Sequence, residues 1–162
     1  MQWAKKQKGF TIIELLIVIV VIAILAAITI VAYNGIQARA NFSSYQSDLT
    51  NTVKLIESYN AVNGSYPTTG GAWSFQGRNA SAAARNSYIP GIVPDIASSL
   101  PISSNTQAEY VYKSNGRDYK LIRYNGPGIP ASEWANVPDS MKDQAIANKD
   151  RYGFWTPGGA TY

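Results

Sequence analysis

The feature that most constrains this chain is a long apolar run near its N-terminus. Every residue from Leu15 to Ile28 is apolar, and after Thr29 the run resumes through Ala32. A helix of this length and composition covers the roughly 30 Å hydrocarbon core of a bilayer. The rest of the chain is rich in Tyr, Ser, Asn, Gly and Pro. The sequence therefore predicts one segment suited to an apolar environment and a second part suited to water.

Positive charge is concentrated ahead of the apolar run. The whole chain has a formal net charge of +4. Three of its 14 basic residues are Lys5, Lys6 and Lys8, which leaves 11 basic against 10 acidic residues, a net charge of +1, in the remainder. Because basic residues that flank a membrane helix stay cytoplasmic, we expect the N-terminus inside the cell and the C-terminal part outside. The near-neutral remainder gives little reason to expect nucleic-acid binding.

The chain contains no Cys and no His. This composition excludes disulfides, His or Cys metal sites, and the usual Ser–His or Cys–His nucleophile pairs. No paired carboxylates stand in a recognisable catalytic setting, so a membrane-anchored enzyme is disfavoured. We expect no enzymatic activity, no catalytic residue, no cofactor and no bound metal.

One acidic residue, Glu14, lies at the start of the apolar run between Ile13 and Leu15. An ionised carboxylate in lipid is costly, so such residues are usually paired or functional. A secretory signal peptide would have a shorter apolar core followed by a small-residue cleavage site. A plain single-pass anchor accounts for the hydropathy but not for Glu14, unless that side chain lies shallow enough to reach the headgroups.

The string Lys8-Gly9-Phe10-Thr11-Ile12-Ile13-Glu14-Leu15-Leu16 resembles the processing motif of type IV prepilins and pseudopilins. The stretch from Ala32 to Ala40 is also similar to that family. The resemblance implies that a prepilin peptidase cleaves after Gly9 and methylates the new N-terminus, Phe10. It further implies that Glu14 acts in assembly by neutralising the N-terminal amine of a neighbouring subunit.

By this resemblance, the chain is expected to be a structural subunit of a type IV pilus or a related filament. The alternatives are a pseudopilin of a type II secretion or competence machine, and a membrane-anchored binding module. The implied partners are further copies in a helical homopolymer, the prepilin peptidase, the assembly platform with its ATPase, and membrane lipid before assembly. A single-pass membrane protein would thus become part of an extracellular filament.

The predicted helix continues beyond the apolar run. An apolar stripe recurs at spacings of three and four residues through Phe42, Tyr45, Leu49, Val53 and Ile56, and is widened by Leu55, Tyr59 and Val62. Asn63-Gly64 is typical of a C-cap. We therefore expect an α+β fold, in which a helix over about 10–63 packs its C-terminal half on a small antiparallel sheet of three or four strands.

Four segments follow from these boundaries: a removed basic leader 1–9, a membrane or filament-core half-helix 10–32, an amphipathic half-helix 33–63 and a globular head 64–162. In the head, Asn115-Gly116 between alternating runs predicts a hairpin over 110–123. We expect Val111, Tyr119 and Leu121 on its helix-facing side. The other predicted elements are a long surface loop over 64–108 with short helices near 79–85 and 94–100, a short helix over 138–148 and a closing strand over 151–156.

Three further groups of residues are candidates for binding sites. Lys113, Arg117, Lys120 and Arg123 would form either a DNA-contact patch or, as we favour, a solvated basic face. Aromatic residues would form either a carbohydrate platform or, as we favour, core and subunit contacts: Tyr110, Tyr112, Tyr119, Tyr124, Trp134 and Trp155. Asp139 and Asp143 lack the dense oxygen-ligand spacing of a calcium site.

Overall fold

The computed structural model describes residues 9–77, 81–103, 108–143 and 149–162. Its α-helices are α1 (Ile12–Asn63), α2 (Ala82–Arg85) and α3 (Ala131–Trp134), and its strands are β1 (Ser74–Phe75), β2 (Ala108–Ser114), β3 (Tyr119–Asn125) and β4 (Arg151–Trp155). Two 3-10 helices span Asp139–Met141 and Gly158–Thr161. The strands form one antiparallel sheet in the order β1-β2-β3-β4. The predicted α+β fold is confirmed.

The chain divides into two units, Met1–Gln37 and Ala38–Tyr162. In the first unit, every described side chain is exposed, including the whole apolar run from Leu15 to Ala32. Within the described ranges, only α1 contains a segment long and apolar enough to cross a membrane. The leader predicted over 1–9 lies almost wholly outside the described residues and stays a prediction.

Helix α1 ends where the sequence predicted. Gly64 has a positive φ of 73°, which glycine adopts without the steric cost that a Cβ would bring. Its N–H donates to the Asn60 carbonyl at 2.8 Å, and the Asn63 side chain donates to the Tyr59 carbonyl at 3.0 Å. The first bond satisfies the Asn60 carbonyl, one of the four at the helix end that lack a partner inside the helix, so the Asn-Gly pair works as a C-cap.

The core of the second unit lies between the sheet and the C-terminal part of α1. Phe42, Tyr45, Leu49 and Ile56 are buried there, while Val53, Leu55 and Tyr59 are partly buried. Val62 is 75% exposed, so its predicted place in the stripe is wrong and the stripe ends one turn earlier. The pattern also missed Thr52, which is buried. Its hydroxyl donates to the Asp48 carbonyl at 2.8 Å, which offsets the cost of burying a polar group.

The hairpin predicted over 110–123 corresponds to β2 and β3, and both strands run two residues further. Ser114 pairs with Tyr119 across a four-residue loop. In that loop, the Asn115 side chain accepts the N–H of Arg117 at 2.9 Å and the N–H of Asp118 at 2.8 Å. This Asx turn explains why the Asn-Gly signal identified the hairpin although the loop is longer than two residues.

The predicted helix-facing side of the hairpin was wrong for Val111. Tyr119 and Leu121 belong to the core cluster under α1, together with Tyr110 and Tyr112. Val111 pairs with Ile122, and neither residue belongs to that cluster, so both face the other side of the sheet. Alternation in β2 places tyrosines on one face and aliphatic or charged residues on the other, and the register with β3 decides which face meets α1.

The described residues of the segment 64–108 contain more regular structure than the predicted surface loop. It contains β1 and α2, which fits the helix predicted near 79–85 in its described part. The helix predicted near 94–100 is wrong, because the chain forms only hydrogen-bonded turns to Ile96 and the Leu100 N–H donates to the Asn86 side chain at 3.1 Å. This segment also contributes buried side chains to the core: Tyr88, Ile89, Ile92 and Leu100.

The helix predicted over 138–148 is wrong in its described part. A 3-10 helix ends at Met141, and Lys142 then forms a β-bridge with Tyr152. Residues 144–148 lie outside the described part of the chain. The short helix α3 was missed by the sequence, whereas the closing strand is present as β4.

Candidate assembly site

The segment that precedes α1 is non-helical and exposed. Gly9, Phe10 and Thr11 have no helical assignment, and the Phe10 side chain is 87% exposed. In the part of the chain that the structure describes, a Cβ placed on Gly9 would meet nothing within 4 Å. The fold therefore leaves the Gly9–Phe10 peptide bond accessible, and it gives no steric reason for a glycine at this position.

Thr11 and Glu14 cap the N-terminus of α1 with reciprocal hydrogen bonds. The Thr11 N–H donates to Glu14 Oε2 at 2.8 Å, and the Thr11 hydroxyl donates to the same oxygen at 2.8 Å. In return, the Glu14 N–H donates to Thr11 Oγ1 at 3.2 Å. This is a capping box, in which two residues three positions apart satisfy each other's backbone donors.

The position of Glu14 is also electrostatically favourable. A carboxylate in the first turn of a helix lies at the positive end of the helix dipole. No Lys or Arg within the described ranges forms an ion pair with Glu14. The carboxylate therefore depends on Thr11 and on the helix end, and it remains able to accept a cation from elsewhere.

The site is followed by a helix surface that has no packing partner among the described residues of its own unit. The side chains from Leu15 to Ile30 include Ile, Leu and Val on every side of α1, and all are exposed. A helix that is apolar all round is stable only inside lipid or against other apolar helices. One acidic group thus stands at the beginning of an apolar surface that lipid or further helices must cover.

The four basic residues of the hairpin do not share one surface, because Arg117 is exposed and Lys113 is half-buried, whereas Lys120 and Arg123 are buried. Lys120 and Arg123 are each only 1% exposed, and they pair with Asp143 at 2.8 Å and with Glu133 at 3.3 Å respectively. Lys113 lies over the rings of Trp73 and Tyr162. Both readings from the sequence are therefore wrong for Lys120 and Arg123, because carboxylates distant in sequence neutralise them inside the head.

Arg123 and Glu133 belong to a buried polar network that the sequence did not reveal. Glu133 accepts the Tyr152 hydroxyl at 3.0 Å, and the Arg123 guanidinium lies 4.3 Å from the ring centre of Tyr45 on α1. Burial raises the pKa of the Glu133 carboxyl, while Arg123 and the Tyr152 hydroxyl act in the opposite direction. The network joins α1, the sheet and α3. The sequence did contain one signal that Arg123 is buried: strand alternation places it on the same face as Tyr119 and Leu121.

The remaining candidate binding residues, the aromatic residues and the two aspartates, make contacts within the fold. Tyr110, Tyr112 and Tyr119 are buried, as the core interpretation predicted, and the Tyr110 hydroxyl donates to Asp48 on α1 at 2.6 Å. Tyr124, Trp134 and Trp155 are partly buried. Asp143 pairs with Lys120, and Asp139 pairs with Lys142 at 2.8 Å, so each candidate calcium ligand faces a cation.

Comparison with known protein families matches the N-terminal segment. Residues 4–30 match the family described as the prokaryotic N-terminal methylation motif. The matched range contains the end of the basic stretch, the Gly9–Phe10 bond, Glu14 and most of the apolar run. No solved structure matches the chain.

Curated relatives extend this similarity to different degrees. The fimbrial protein of Neisseria meningitidis serogroup A / serotype 4A is 27% identical over 153 residues, which are 88% of this chain and 86% of that protein. The type IV wide pilus major component PilA4 of Thermus thermophilus is 47% identical over 62 residues, 38% of this chain and 47% of the relative. The type II secretion system core protein G of Escherichia coli is 33% identical over 69 residues, 43% of this chain and 48% of the relative. The chain thus spans less than half the length of the last two.

Proposed function

Because the chain belongs to the type IV pilin and pseudopilin family, we propose that it is a structural subunit of a type IV pilus or a related filament. The observation that carries this proposal is the unpartnered apolar surface of α1, with Glu14 at its beginning. Copies of such a helix bury their apolar surface by packing side by side, and the heads then form the outside of the filament. We propose no enzymatic role.

Before assembly, the same helix would hold the subunit in a membrane. Lys5, Lys6 and Lys8 would keep the N-terminus cytoplasmic, and the head would lie on the other side. A prepilin peptidase would cut the accessible bond between Gly9 and Phe10 and methylate Phe10. Since a Cβ at position 9 would meet nothing within 4 Å among the described residues, the requirement for glycine would come from the peptidase.

Cleavage changes the electrostatics of the site. It converts the amide nitrogen of Phe10 into an amine, which is a cation. An ionised carboxylate and an ammonium group are each costly to bury alone, and they cost less as a pair. Pairing of Glu14 in one copy with the amine of Phe10 in a neighbour would therefore favour one axial register. The uncut precursor has no amine there, so the leader would prevent assembly.

A pseudopilin of a type II secretion or competence machine is the second candidate. It is supported by the similarity to type II secretion system core protein G, which covers 43% of this chain. The fimbrial protein matches over 88% of the chain, a range that must include much of the head. The pilus subunit is preferred for this reason. Long surface filaments labelled by antibodies against residues 64–162 would support the pilus subunit. If cells that lack this protein fail to secrete proteins, and normal cells show no such filaments, the pseudopilin would be supported instead.

The intact mass of the protein taken from cells tests the processing step. We expect a mass that lacks residues 1–9 and includes one methyl group on Phe10. Cells without the prepilin peptidase provide the control, and they should contain the full-length precursor. A protein that still begins at Met1 in cells with active peptidase would refute the proposal and would favour an anchored binding module.

Substitution of Glu14 tests the pairing step. We expect Glu14→Ala to remain cleaved and membrane-inserted, because Gly9 and the apolar run are intact. Its filament yield should fall by about tenfold or more, since loss of even 1.4 kcal/mol per contact changes an association constant tenfold. Electron microscopy and quantification of sheared filaments measure this yield. Normal filament amounts from the variant would contradict the pairing account.

A further inference from the structure

The two oxygens of the Glu14 carboxylate have different environments. Oε2 accepts both Thr11 donors, the backbone N–H and the hydroxyl, each at 2.8 Å. Within the described ranges, Oε1 has no hydrogen-bond partner. A carboxylate has about four lone-pair positions, so occupation of Oε2 does not prevent a further strong bond to Oε1.

We infer that Thr11 is a positioning residue for filament assembly: it holds Glu14 by Oε2 and leaves Oε1 directed to the amine of Phe10 in a neighbouring copy. This inference rests on the proposed function and assigns a role to a residue beyond the cleavage site and the glutamate. One carboxylate oxygen would cap its own helix while the other pairs between subunits. The cap therefore does not have to break when the subunit assembles.

The advantage of this arrangement is preorganisation. A glutamate side chain has several rotatable bonds, and fixing them at the moment of contact costs conformational entropy. Thr11 fixes the carboxylate at the end of α1 before a neighbouring copy brings its amine to Oε1. The two hydrogen bonds to Oε2 also lower the cost of keeping a carboxylate at the membrane before its partner arrives.

An ordinary helix cap would show the same hydrogen bonds, so the test must separate positioning from local stability. Thr11→Val keeps the shape of the side chain and removes the hydroxyl, whereas Thr11→Ser keeps the hydroxyl. Thr29→Val is the matched control, because Thr29 lies in the same exposed apolar segment and its hydroxyl donates only to the Ala26 carbonyl at 2.9 Å. The full-length precursor of each variant is expressed with the peptidase and the assembly machinery.

Three quantities are measured for every variant: the membrane-inserted amount, the cleaved fraction by intact mass, and the filament yield. We expect Thr11→Val to reduce the filament yield by about tenfold while its insertion and cleavage stay within about twofold of the wild type. Thr11→Ser should recover most of the yield, and Thr29→Val should assemble like the wild type. In a Glu14→Ala background, Thr11→Val should cause no further loss, because both residues act through one carboxylate.

Several results would overturn the inference. Wild-type assembly by Thr11→Val is one, and an equal loss in Thr29→Val is another, since that would indicate a general effect of removing a hydroxyl. A further loss in the Glu14→Ala background would show that Thr11 acts independently of the carboxylate. An uncleaved Thr11→Val precursor would assign Thr11 to recognition by the peptidase. If the wild-type chain itself were never cleaved or assembled, the proposed function would fail first and the inference with it.

Discussion

Above about pH 10, the globular second unit of this chain is expected to lose stability steeply and to unfold cooperatively. The cause is a set of tyrosines that lie almost entirely inside its core: Tyr88, Tyr110, Tyr112, Tyr119 and Tyr152. Burial is the main reason that the pKa of each of these phenols is raised. For Tyr110, the hydrogen bond that it donates to Asp48 raises the pKa further.

The direction of the effect follows from the raised pKa values. The stabilisation is present in full below the unfolded-state pKa of about 10, and it is lost as pH rises towards the folded-state pKa. Each tyrosine lowers the free energy of unfolding by about 1.4 kcal/mol for every pH unit above that value. Five tyrosines would together remove about 7 kcal/mol by about pH 11, which is comparable with the total stability of a typical domain, roughly 5–15 kcal/mol.

Denaturant unfolding of the full-length chain in detergent, repeated at increasing pH, measures this loss. The ultraviolet absorbance of ionised tyrosine should rise together with the loss of tertiary structure. Tyr112→Phe is the matched variant, because it removes one phenol at the cost of the hydrogen bond to the Pro67 carbonyl at 2.8 Å. It should reduce the pH dependence by about a fifth. Ionisation of these tyrosines near pH 10 in a head that stays folded would contradict the expectation.

Removal of the charge on Glu133 is expected to lower the free energy of unfolding by about 3–5 kcal/mol, because it leaves the Arg123 guanidinium buried without a counter-ion. Within the described ranges, Nε and Nη1 of Arg123 have no hydrogen-bond partner, so the guanidinium depends on Glu133 and on the Tyr45 and Tyr152 rings. Glu133→Gln keeps the size of the side chain, which separates the loss of charge from the creation of a cavity. Chemical denaturation measures the change.

An exposed ion pair in the same chain provides the control. Asp139 forms its pair with Lys142 at 2.8 Å but is 85% exposed, and solvent screens an exposed pair, so Asp139→Asn should lower the free energy of unfolding far less than Glu133→Gln does. The double variant Arg123→Met with Glu133→Gln should be more stable than Glu133→Gln alone, because no cation is then left unpaired. A Glu133→Gln variant as stable as Asp139→Asn would show that the buried pair contributes little.

Much of the fold could be predicted because its signals are local. The Asn63-Gly64 pair ends α1 through bonds within one turn, and Asn115 organises the hairpin loop through its own side chain. The candidate assembly site could also be predicted from the sequence, because Gly9, Phe10 and Glu14 lie within a stretch of six residues. The capping role of Thr11 was not foreseen, although a threonine three residues before a glutamate is the usual sequence signature of a capping box.

The head was predicted less well, because its decisive contacts join residues far apart in the chain. The segment 64–108 resembles a loop in composition, yet Tyr88, Ile89 and Ile92 complete the core. Both faces of β2 carry large side chains, so alternation alone could not decide whether Tyr110 or Val111 meets α1. That decision depends on how β2 pairs with β3 and on which face α1 covers.

By itself, the sequence determined where the helix ends, that an acidic group stands near its start, and that a hairpin follows; the predicted start near residue 10 lay two residues before Ile12. These features depend on neighbours within a few residues, so local chemistry is enough to specify them. Only the tertiary structure decided that Lys120 and Arg123 are buried. The partner of Lys120 is Asp143, 23 residues further along the chain, and the partner of Arg123 is Glu133, 10 residues further along. Nothing in the sequence indicates either pairing. A charged side chain leaves water only when a partner meets it, and that partner is placed by the fold.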